Sequence, residues 1–256
     1  NFREDMTEAK MWGITPWDQL WCRIEYKKMR YEGHFTVPGT DTIFQFPGNA
    51  GGFNWGSVSV DQANNIMVVN PMIVGNQLTL IPRDELPEGV PGNQLGTPYS
   101  QTTVRFMSPL GVPCNQPPYG MLAAIDLETK QLLWERPIGS AKESGPLGIK
   151  TRLPVSIGTP LMGGTVTTAG GLTFIAGTFD NTIRALDLLS GEELWSDELP
   201  FTAHATPMSY LSPGGKQTVI ITVPVFNSTT GSGVRVLPAD QEDPQGGYIF
   251  AYRLPD

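Results

Sequence analysis

An internal repeat limits what this chain can fold into more than any other feature of its sequence. The eleven residues from Ala124 to Trp134 align without gaps on the eleven from Ala185 to Trp195. Both copies follow the pattern Ala-x-Asp-x-x-[Thr/Ser]-Gly-x-x-x-Trp, except that Lys130 takes the place of the glycine. A β-type run leads into each copy, so each is predicted to join two strands through a tight turn.

The residue types of the repeat suit a stacked sheet. The small Ala lets a strand pack closely, and the Asp accepts backbone hydrogen bonds as the chain turns. The Gly adopts a positive φ, and the Trp places its ring on the neighbouring sheet. The residues predicted to carry these scaffold roles are Ala124, Asp126, Trp134, Ala185, Asp187, Gly191 and Trp195. One such sheet cannot bury its own face, so the repeat predicts an all-β chain that forms a β-propeller or part of one. Two coincidental hairpins in a sandwich are the alternative.

The rest of the chain is also rich in strand and turn signals. Its 256 residues include 29 Gly and 23 Pro, about a fifth of the total, which disfavours a helical bundle. From about Thr40 onward, short β-type runs alternate with turn residues. The runs predicted as antiparallel strands are Ser57–Val60, Ile66–Val69, Leu78–Ile81, Met121–Ala124, Leu172–Ile175, Thr182–Ala185, Val219–Val223 and Tyr248–Tyr252. Pro82–Gln101 and Gly231–Gly247 are predicted as long loops.

One amphipathic helix is predicted near the start. Thr15 can cap it and Pro16 suits its first position. Four apolar residues then follow at helical spacing and are expected to pack on a larger body rather than bind a cofactor. These residues are Trp17, Leu20, Trp21 and Ile24.

Charge and cysteine content argue against nucleic-acid binding and against a metal site. A net charge of −8 without a Lys/Arg cluster argues against nucleic acid as a partner. Cys22 and Cys114 are as compatible with a disulfide as with two buried thiols, and with His34 and His204 they form no metal-binding spacing. Both histidines are expected to be structural. No apolar run is long enough to span a bilayer.

The start of the chain lacks a basic segment followed by an apolar core, so no secretory signal is predicted. The chain is therefore expected to be cytoplasmic, or else a mature chain or a piece of something longer.

The repeat resembles the tryptophan-docking motif of quinoprotein alcohol and sugar dehydrogenases, which are eight-bladed propellers that use pyrroloquinoline quinone (PQQ). Other segments are similar to the membrane-associated glucose and quinate dehydrogenase branch, over nearly the whole chain. They include Met29–Gly33, Phe46–Asn49, Asn70–Met72, Pro160–Gly164, Thr168–Gly170, Ala205–Met208 and Gly247–Tyr252.

The resemblance also implies that this chain is about half of such a propeller. Eight blades need roughly 400 residues or more. Residues 1–256 are therefore expected to be the C-terminal portion of one propeller domain, with a helix-containing insertion at 1–45 and blades at 46–256. The family's catalytic aspartate and most of its calcium ligands are expected upstream, in the N-terminal part of the same enzyme, so neither a catalytic residue nor a metal site is predicted here.

Three residues are predicted by similarity to bind PQQ. Asn70 matches the asparagine whose amide supports the quinone carbonyls, where negative charge develops on reduction. Asn54 and Trp55 lie in a glycine-flanked stretch that would let backbone and ring approach a flat cofactor, although a turn residue and a core residue are the alternative. Asp180 matches an aspartate near the active-site mouth and is predicted to lie close to substrate, although a turn-forming Asp is a commoner explanation.

Gly163, Gly164 and Thr168 are expected to build a tight turn on the axial side of the propeller. At Val223–Gly231 the chain lacks the glycine-rich, histidine-containing segment of the glucose enzymes, which makes quinate or shikimate at least as plausible a substrate as glucose.

The resemblance thus implies an oxidoreductase that uses PQQ and Ca²⁺. It would oxidise a secondary alcohol of a polyol or cyclic hydroxy acid and pass electrons to ubiquinone. A periplasmic location is implied, with membrane association through a part not in this chain. The alternative is a noncatalytic propeller that binds protein partners.

Overall fold

A computed structural model describes residues 4–86, 95–224 and 247–254. Within these ranges the chain forms one α-helix, three short 3₁₀ turns and a series of strands. The helix and strands are α1 (Pro16–Lys28), β1 (Ile43–Gln45), β2 (Val58–Asp61), β3 (Ile66–Val69), β4 (Asn76–Pro82), β5 (Tyr99–Arg105), β6 (Met121–Asp126), β7 (Leu132–Pro137), β8 (Thr165–Thr168), β9 (Leu172–Ile175), β10 (Thr182–Asp187), β11 (Glu193–Glu198), β12 (Met208–Leu211), β13 (Gln217–Pro224) and β14 (Gly247–Tyr252). None of the helices in the described ranges is long and apolar enough to cross a membrane.

The strands form four antiparallel sheets, which confirms the all-β prediction. Their strand orders are β1-β4-β5, β2-β3-β6-β7, β11-β10-β9-β8 and β12-β13-β14. The chain divides into two compact units. The first unit contains residues 1–52, 73–117 and 146–148, and the second contains residues 53–72, 118–145 and 149–256. The boundary predicted at residue 45 stays a prediction.

The first unit holds α1 and the sheet β1-β4-β5. As predicted, the Thr15 side chain caps α1 by accepting a hydrogen bond from the Asp18 backbone N–H at 3.2 Å. The question left open for the two cysteines is resolved, because Cys22 and Cys114 form a disulfide with Cα atoms 5.5 Å apart. The disulfide is buried among aromatic side chains that include Phe44 and Phe106.

Three of the four residues in the apolar stripe predicted for α1 do not pack within the described chain. Trp17 is 80% exposed, and Leu20 and Ile24 are about half exposed. Trp21 does pack as predicted, with its ring 6.4 Å from that of Phe106. The buried face of α1 is the one that carries Asp18 and Cys22, and the disulfide links it to Cys114.

The second unit holds the other three sheets, and the two repeat copies occupy equivalent places in two of them. Ala124 lies opposite Trp134 across β6 and β7, and Ala185 lies opposite Trp195 across β10 and β11. In both pairs of strands the register shifts immediately after the alanine. The repeat therefore encodes the same bulged hairpin twice.

The aspartates of the repeat close the turns as predicted. Asp126 accepts hydrogen bonds from the backbone N–H groups two and three residues later, both at 2.8 Å. Asp187 does the same, at 3.0 and 2.7 Å. These backbone hydrogen bonds hold the pKa of both carboxyls below the ordinary value. Gly191 has φ +71°, and Lys130 adopts φ +59° at the equivalent place.

The tryptophans of the repeat dock one sheet onto the next, which is the defining feature of the predicted scaffold. Trp134 donates its indole N–H to the Leu188 carbonyl at 3.0 Å. Its ring lies over Gly191, where a Cβ would come within 2.5 Å of the indole. Trp195 packs edge-on against Tyr252 of β14, with ring centroids 4.9 Å apart. Three sheets are thus stacked like neighbouring propeller blades.

All the predicted strands are observed. The strand predicted at Ser57–Val60 is shifted by one residue to Val58–Asp61, and others are extended by one to three residues. Pro82–Gln101 is less of a loop than predicted, because Pro82 ends β4 and β5 begins at Tyr99. Parts of three predicted segments lie outside the described residues. They are 87–94 of the first predicted loop, 231–246 of the second, and 225–231 of the segment that differs from the glucose enzymes.

Candidate functional site

One end of the inner strands in the second unit gathers the predicted cofactor residues. The first strands of its three sheets, β2, β8 and β12, lie side by side, since β8 contacts both of the others. The segments that enter these strands therefore meet at one end. Asn70 reaches the same end, because antiparallel pairing places Val69 opposite Val58 and the Asn70 backbone N–H donates to the Ser57 carbonyl at 3.1 Å.

Glycines let these segments approach closely. A Cβ on Gly164 would lie 2.0 Å from the Gly56 carbonyl oxygen, so no side chain fits there. The Gly164 N–H donates to the Thr206 hydroxyl at 3.1 Å, and the Ser59 and Thr165 hydroxyls are 2.7 Å apart. These contacts bind the starts of the three inner strands into one framework.

Asn70 is the most deeply buried of the three residues predicted to bind the cofactor. It is 1% exposed, and its amide nitrogen donates to the Gly163 carbonyl at 3.1 Å. Its side-chain oxygen is buried without a hydrogen-bond partner. A buried unpartnered carbonyl costs free energy in a folded protein, so its presence suggests that a bound group supplies the missing donor or cation.

Asn54 and Trp55 lie beside this position and differ in exposure. Asn54 accepts the Trp55 backbone N–H at 2.7 Å and makes a weak contact from its amide nitrogen to the Met162 sulfur at 3.7 Å. Asn54 therefore already has a turn-forming role, the alternative considered for it. Trp55 is 91% exposed, so the alternative of a core residue is wrong. An exposed indole of this kind offers a flat face for stacking.

Asp180 does not open onto this end of the strands as a free carboxylate. It is 2% exposed and pairs with Arg184, whose guanidinium contacts both carboxylate oxygens. Burial alone would raise the pKa of Asp180. The hydrogen bond and charge of Arg184, with hydrogen bonds from Thr178 and Ser140, outweigh burial and lower it.

The remaining predicted residues have roles in the fold. Thr168 ends β8, at the opposite end from Gly164, so the tight turn predicted to contain both is wrong. His34 stacks on Phe46 at 6.5 Å. His204 is partly buried in the segment that enters β12, and burial lowers its pKa. No role was predicted for Thr206 or Arg184. Thr206 lies in the family-like segment Ala205–Met208, but that segment does not reveal its contact with Gly164.

No group of three or more His, Cys, Asp or Glu side chains in the described ranges could hold a metal ion. The groups at this end of the strands are instead neutral: amides and hydroxyls that can hydrogen-bond, and an indole face that can stack. Such a set suits a flat organic group with hydrogen-bonding edges.

The sequence profile described as the glucose/ethanol/alcohol dehydrogenase β-propeller domain, abbreviated PQQ, matches residues 1–219. A probable quinate dehydrogenase (quinone) of Xanthomonas campestris pv. juglandis is 43% identical over 98% of this chain. A quinate/shikimate dehydrogenase (quinone) of Acinetobacter baylyi is 42% identical over 98%, and a quinoprotein glucose dehydrogenase of Escherichia coli is 40% identical over 99%. This chain spans only 31–32% of the length of these relatives.

Among solved structures, quinohemoprotein alcohol dehydrogenase from Comamonas testosteroni matches 72% of this chain and 24% of its own, with 25% identity and a TM-score of 0.49. The profile match covers far more than half of the chain and includes the docking repeats, Asn54, Trp55 and Asn70. The chain therefore belongs to the glucose/ethanol/alcohol dehydrogenase β-propeller family of PQQ-dependent proteins.

Proposed function

We propose that the protein to which this chain belongs is a PQQ-dependent dehydrogenase that oxidises a CH–OH group of a polyhydroxy substrate. The family match and relatives named as quinate, shikimate and glucose dehydrogenases support this proposal. Because the chain spans about a third of those relatives, the reaction is assigned to the whole protein and not to this chain alone.

The observation that carries the proposal is the environment of Asn70. Its side-chain oxygen is buried without a partner, while its amide nitrogen uses one hydrogen on Gly163 and retains a second. This amide can therefore offer both an acceptor and a donor to a planar group with carbonyl and N–H edges. Trp55 provides an exposed ring two residues before Ser57, whose carbonyl accepts the Asn70 backbone N–H. These residues fit PQQ.

Each of these residues would contribute a different property to the reaction. When bound, PQQ supplies a two-electron acceptor for the hydride of the substrate carbinol. Asn70 would orient it and stabilise the negative charge that develops on the quinone oxygens. Trp55 would support one face, and Asn54 would add its amide nitrogen by giving up its weak sulfur contact.

Ca²⁺ is proposed to bind mainly through ligands in the rest of the protein. Ca²⁺ prefers oxygen ligands, several of them carboxylates. By the family resemblance, most of its ligands and the catalytic aspartate are proposed to lie in the N-terminal part of the enzyme.

The substrate, the electron acceptor and the location are proposed from the resemblance to the family. A cyclic hydroxy acid such as quinate or shikimate, or a sugar such as glucose, is the proposed substrate, and ubiquinone the proposed acceptor. The periplasm is the proposed compartment, with a membrane attachment elsewhere in the protein. The Cys22–Cys114 disulfide supports this location, because disulfides persist in oxidising compartments.

The test is a PQQ titration of the complete protein with Ca²⁺, followed by dye reduction with quinate, shikimate and glucose in parallel. We expect Asn70→Ala to lower the rate about 100-fold, the loss typical of a removed oxyanion donor. Asn115→Ala is the matched control, since Asn115 is equally buried but bonds Gly75 and Ile73 through its own amide. Absence of both PQQ binding and dye reduction in the complete protein would instead favour a noncatalytic propeller.

A further inference from the structure

A buried network of ion pairs and hydrogen bonds surrounds Asp180 and Arg184. Arg184, which is 8% exposed, donates to both oxygens of Asp180 and also contacts the Thr178 hydroxyl at 2.9 Å and Glu193 at 3.1 Å. Thr178 donates to Asp180 at 2.6 Å, and the Ser140 backbone N–H donates to it at 2.8 Å. Both Asp180 oxygens are thus occupied by protein groups. A carboxylate so enclosed has little capacity left for a substrate hydroxyl.

The network fixes the turn between β9 and β10, residues 176–181. Within this turn Phe179 donates its backbone N–H to the Thr159 hydroxyl at 3.1 Å, and Asn181 sits at φ +56°. The turn is therefore held from both sides by specific bonds.

This turn is in direct contact with the segment that enters β8. Leu161 and Thr178 form an isolated antiparallel bridge, and the Met162 N–H donates to the Gly177 carbonyl at 3.3 Å. A Cβ on Gly177 would lie 2.4 Å from the Gly163 nitrogen, so the two backbones are in direct contact. Any shift of the turn must move Met162 and Gly163.

The same segment holds the predicted cofactor residues on its other side. The Gly163 carbonyl accepts the Asn70 amide, and the Met162 sulfur accepts the Asn54 amide. A continuous path of contacts therefore leads from Arg184, through the turn, to both asparagines.

We propose that Asp180 and Arg184 are positioning residues, whose ion pair sets the place of Leu161–Gly164 and thereby the Asn70 amide. This inference rests on the proposed function of Asn70. It differs from the sequence-based prediction that Asp180 lies against the substrate.

The test uses the complete protein, with PQQ as the probe and quinate and glucose as substrates. In Asp180→Asn and Arg184→Met we expect PQQ affinity to fall about tenfold or more, as for lost supporting contacts at a bound group. We also expect kcat to fall about tenfold while the KM for substrate stays within about twofold. Arg184→Lys keeps the positive charge but not the planar guanidinium, so it should lose less PQQ affinity than Arg184→Met.

Two further variants separate positioning from loss of folding. Thr178→Val removes a link in the network without leaving a buried charge unpaired, and should change PQQ affinity in the same direction. Glu198→Gln is the control, because it removes the ion pair between Lys142 and the exposed Glu198 at the end of β11 in the same sheet. It should leave PQQ affinity, kcat and KM unchanged.

Hydrogen exchange gives a readout independent of turnover. The Met162 and Gly164 amides, bonded to Gly177 and Thr206, should exchange faster in Asp180→Asn than in the parent, while β13 keeps its protection.

Several outcomes would overturn the inference. Unchanged PQQ affinity and exchange in Asp180→Asn and Thr178→Val would show that the network does not position the site. A tenfold higher KM with unchanged PQQ affinity would make Asp180 a substrate contact. Equal losses in Glu198→Gln would indicate general loosening of the sheet. A parent protein that binds no PQQ would refute the proposed function itself, and this inference with it.

Discussion

Replacing Gly191 by alanine should destabilise the stacked sheets of the second unit. Gly191 has φ +71°, a conformation that costs a residue with a Cβ about 1–2 kcal/mol. The new Cβ would also lie 2.5 Å from the Trp134 ring, which must then move. Displacing the ring breaks its 3.0 Å hydrogen bond to Leu188, worth about 1 kcal/mol.

The total expected loss in unfolding free energy is about 3 kcal/mol when some ring packing is lost as well. Urea unfolding followed by tryptophan fluorescence would measure it as a lower midpoint at unchanged slope. Trp134→Phe should lose about 1 kcal/mol, since a phenyl ring keeps most of the packing and only the indole N–H bond disappears.

The other copy of the repeat provides the control. Lys130 occupies the equivalent place at φ +59° and already carries a side chain. Lys130→Ala should therefore change stability by no more than about 0.5 kcal/mol. A Gly191→Ala loss below about 1 kcal/mol, or an equal loss in Lys130→Ala, would refute the reasoning that docking at Gly191 holds the sheets together.

Three further predictions concern the disulfide, the exposed indole and the partly buried histidine. Cys22→Ser with Cys114→Ser should lower unfolding free energy by about 4 kcal/mol, since the disulfide closes a sequence separation of 92 residues; a reductant-insensitive urea midpoint in the parent would contradict this. Trp55→Ala should weaken PQQ binding up to about tenfold yet leave the melting temperature unchanged, because the ring is 91% exposed; a lower melting temperature would mean that the ring packs in the fold. Burial lowers the pKa of His204 in the folded protein. Stability is therefore full above the ordinary pKa of histidine and is lost as the pH falls through the lowered pKa of the folded state. His204→Gln should lose less stability than the parent between about pH 7 and 5, which thermal melts at each pH would measure.

The elements most accurately predicted from sequence are those that depend on neighbouring residues. The Asp turns of both repeat copies bond backbone groups two and three residues away, so their chemistry is contained in the motif. The capped start of α1 is similarly local, with Thr15 reaching only to Asp18. β3 and β9 appear with the predicted bounds because short alternations between turn residues indicate strands directly.

The features that sequence reasoning missed depend on contacts between distant residues. The apolar spacing in α1 indicated which residues share a face, but the buried face is the one that carries Cys22, whose disulfide partner Cys114 is 92 residues away in sequence. Asp180 looked like a turn residue or a substrate contact, whereas its partner Arg184 lies on the following strand and its third donor is Ser140, forty residues earlier in the chain. No local pattern indicates such a pairing.

The sequence by itself thus determined the repeated hairpins, the turn chemistry and the likeness that places the chain in its family, because these follow from local spacing. The tertiary structure alone decided that Trp134 docks over Gly191, that Asn70 has a buried oxygen without a partner, and that Asp180 is enclosed by an ion pair. Burial and hydrogen-bond satisfaction depend on which segments meet in space, and those meetings involve residues far apart in the chain.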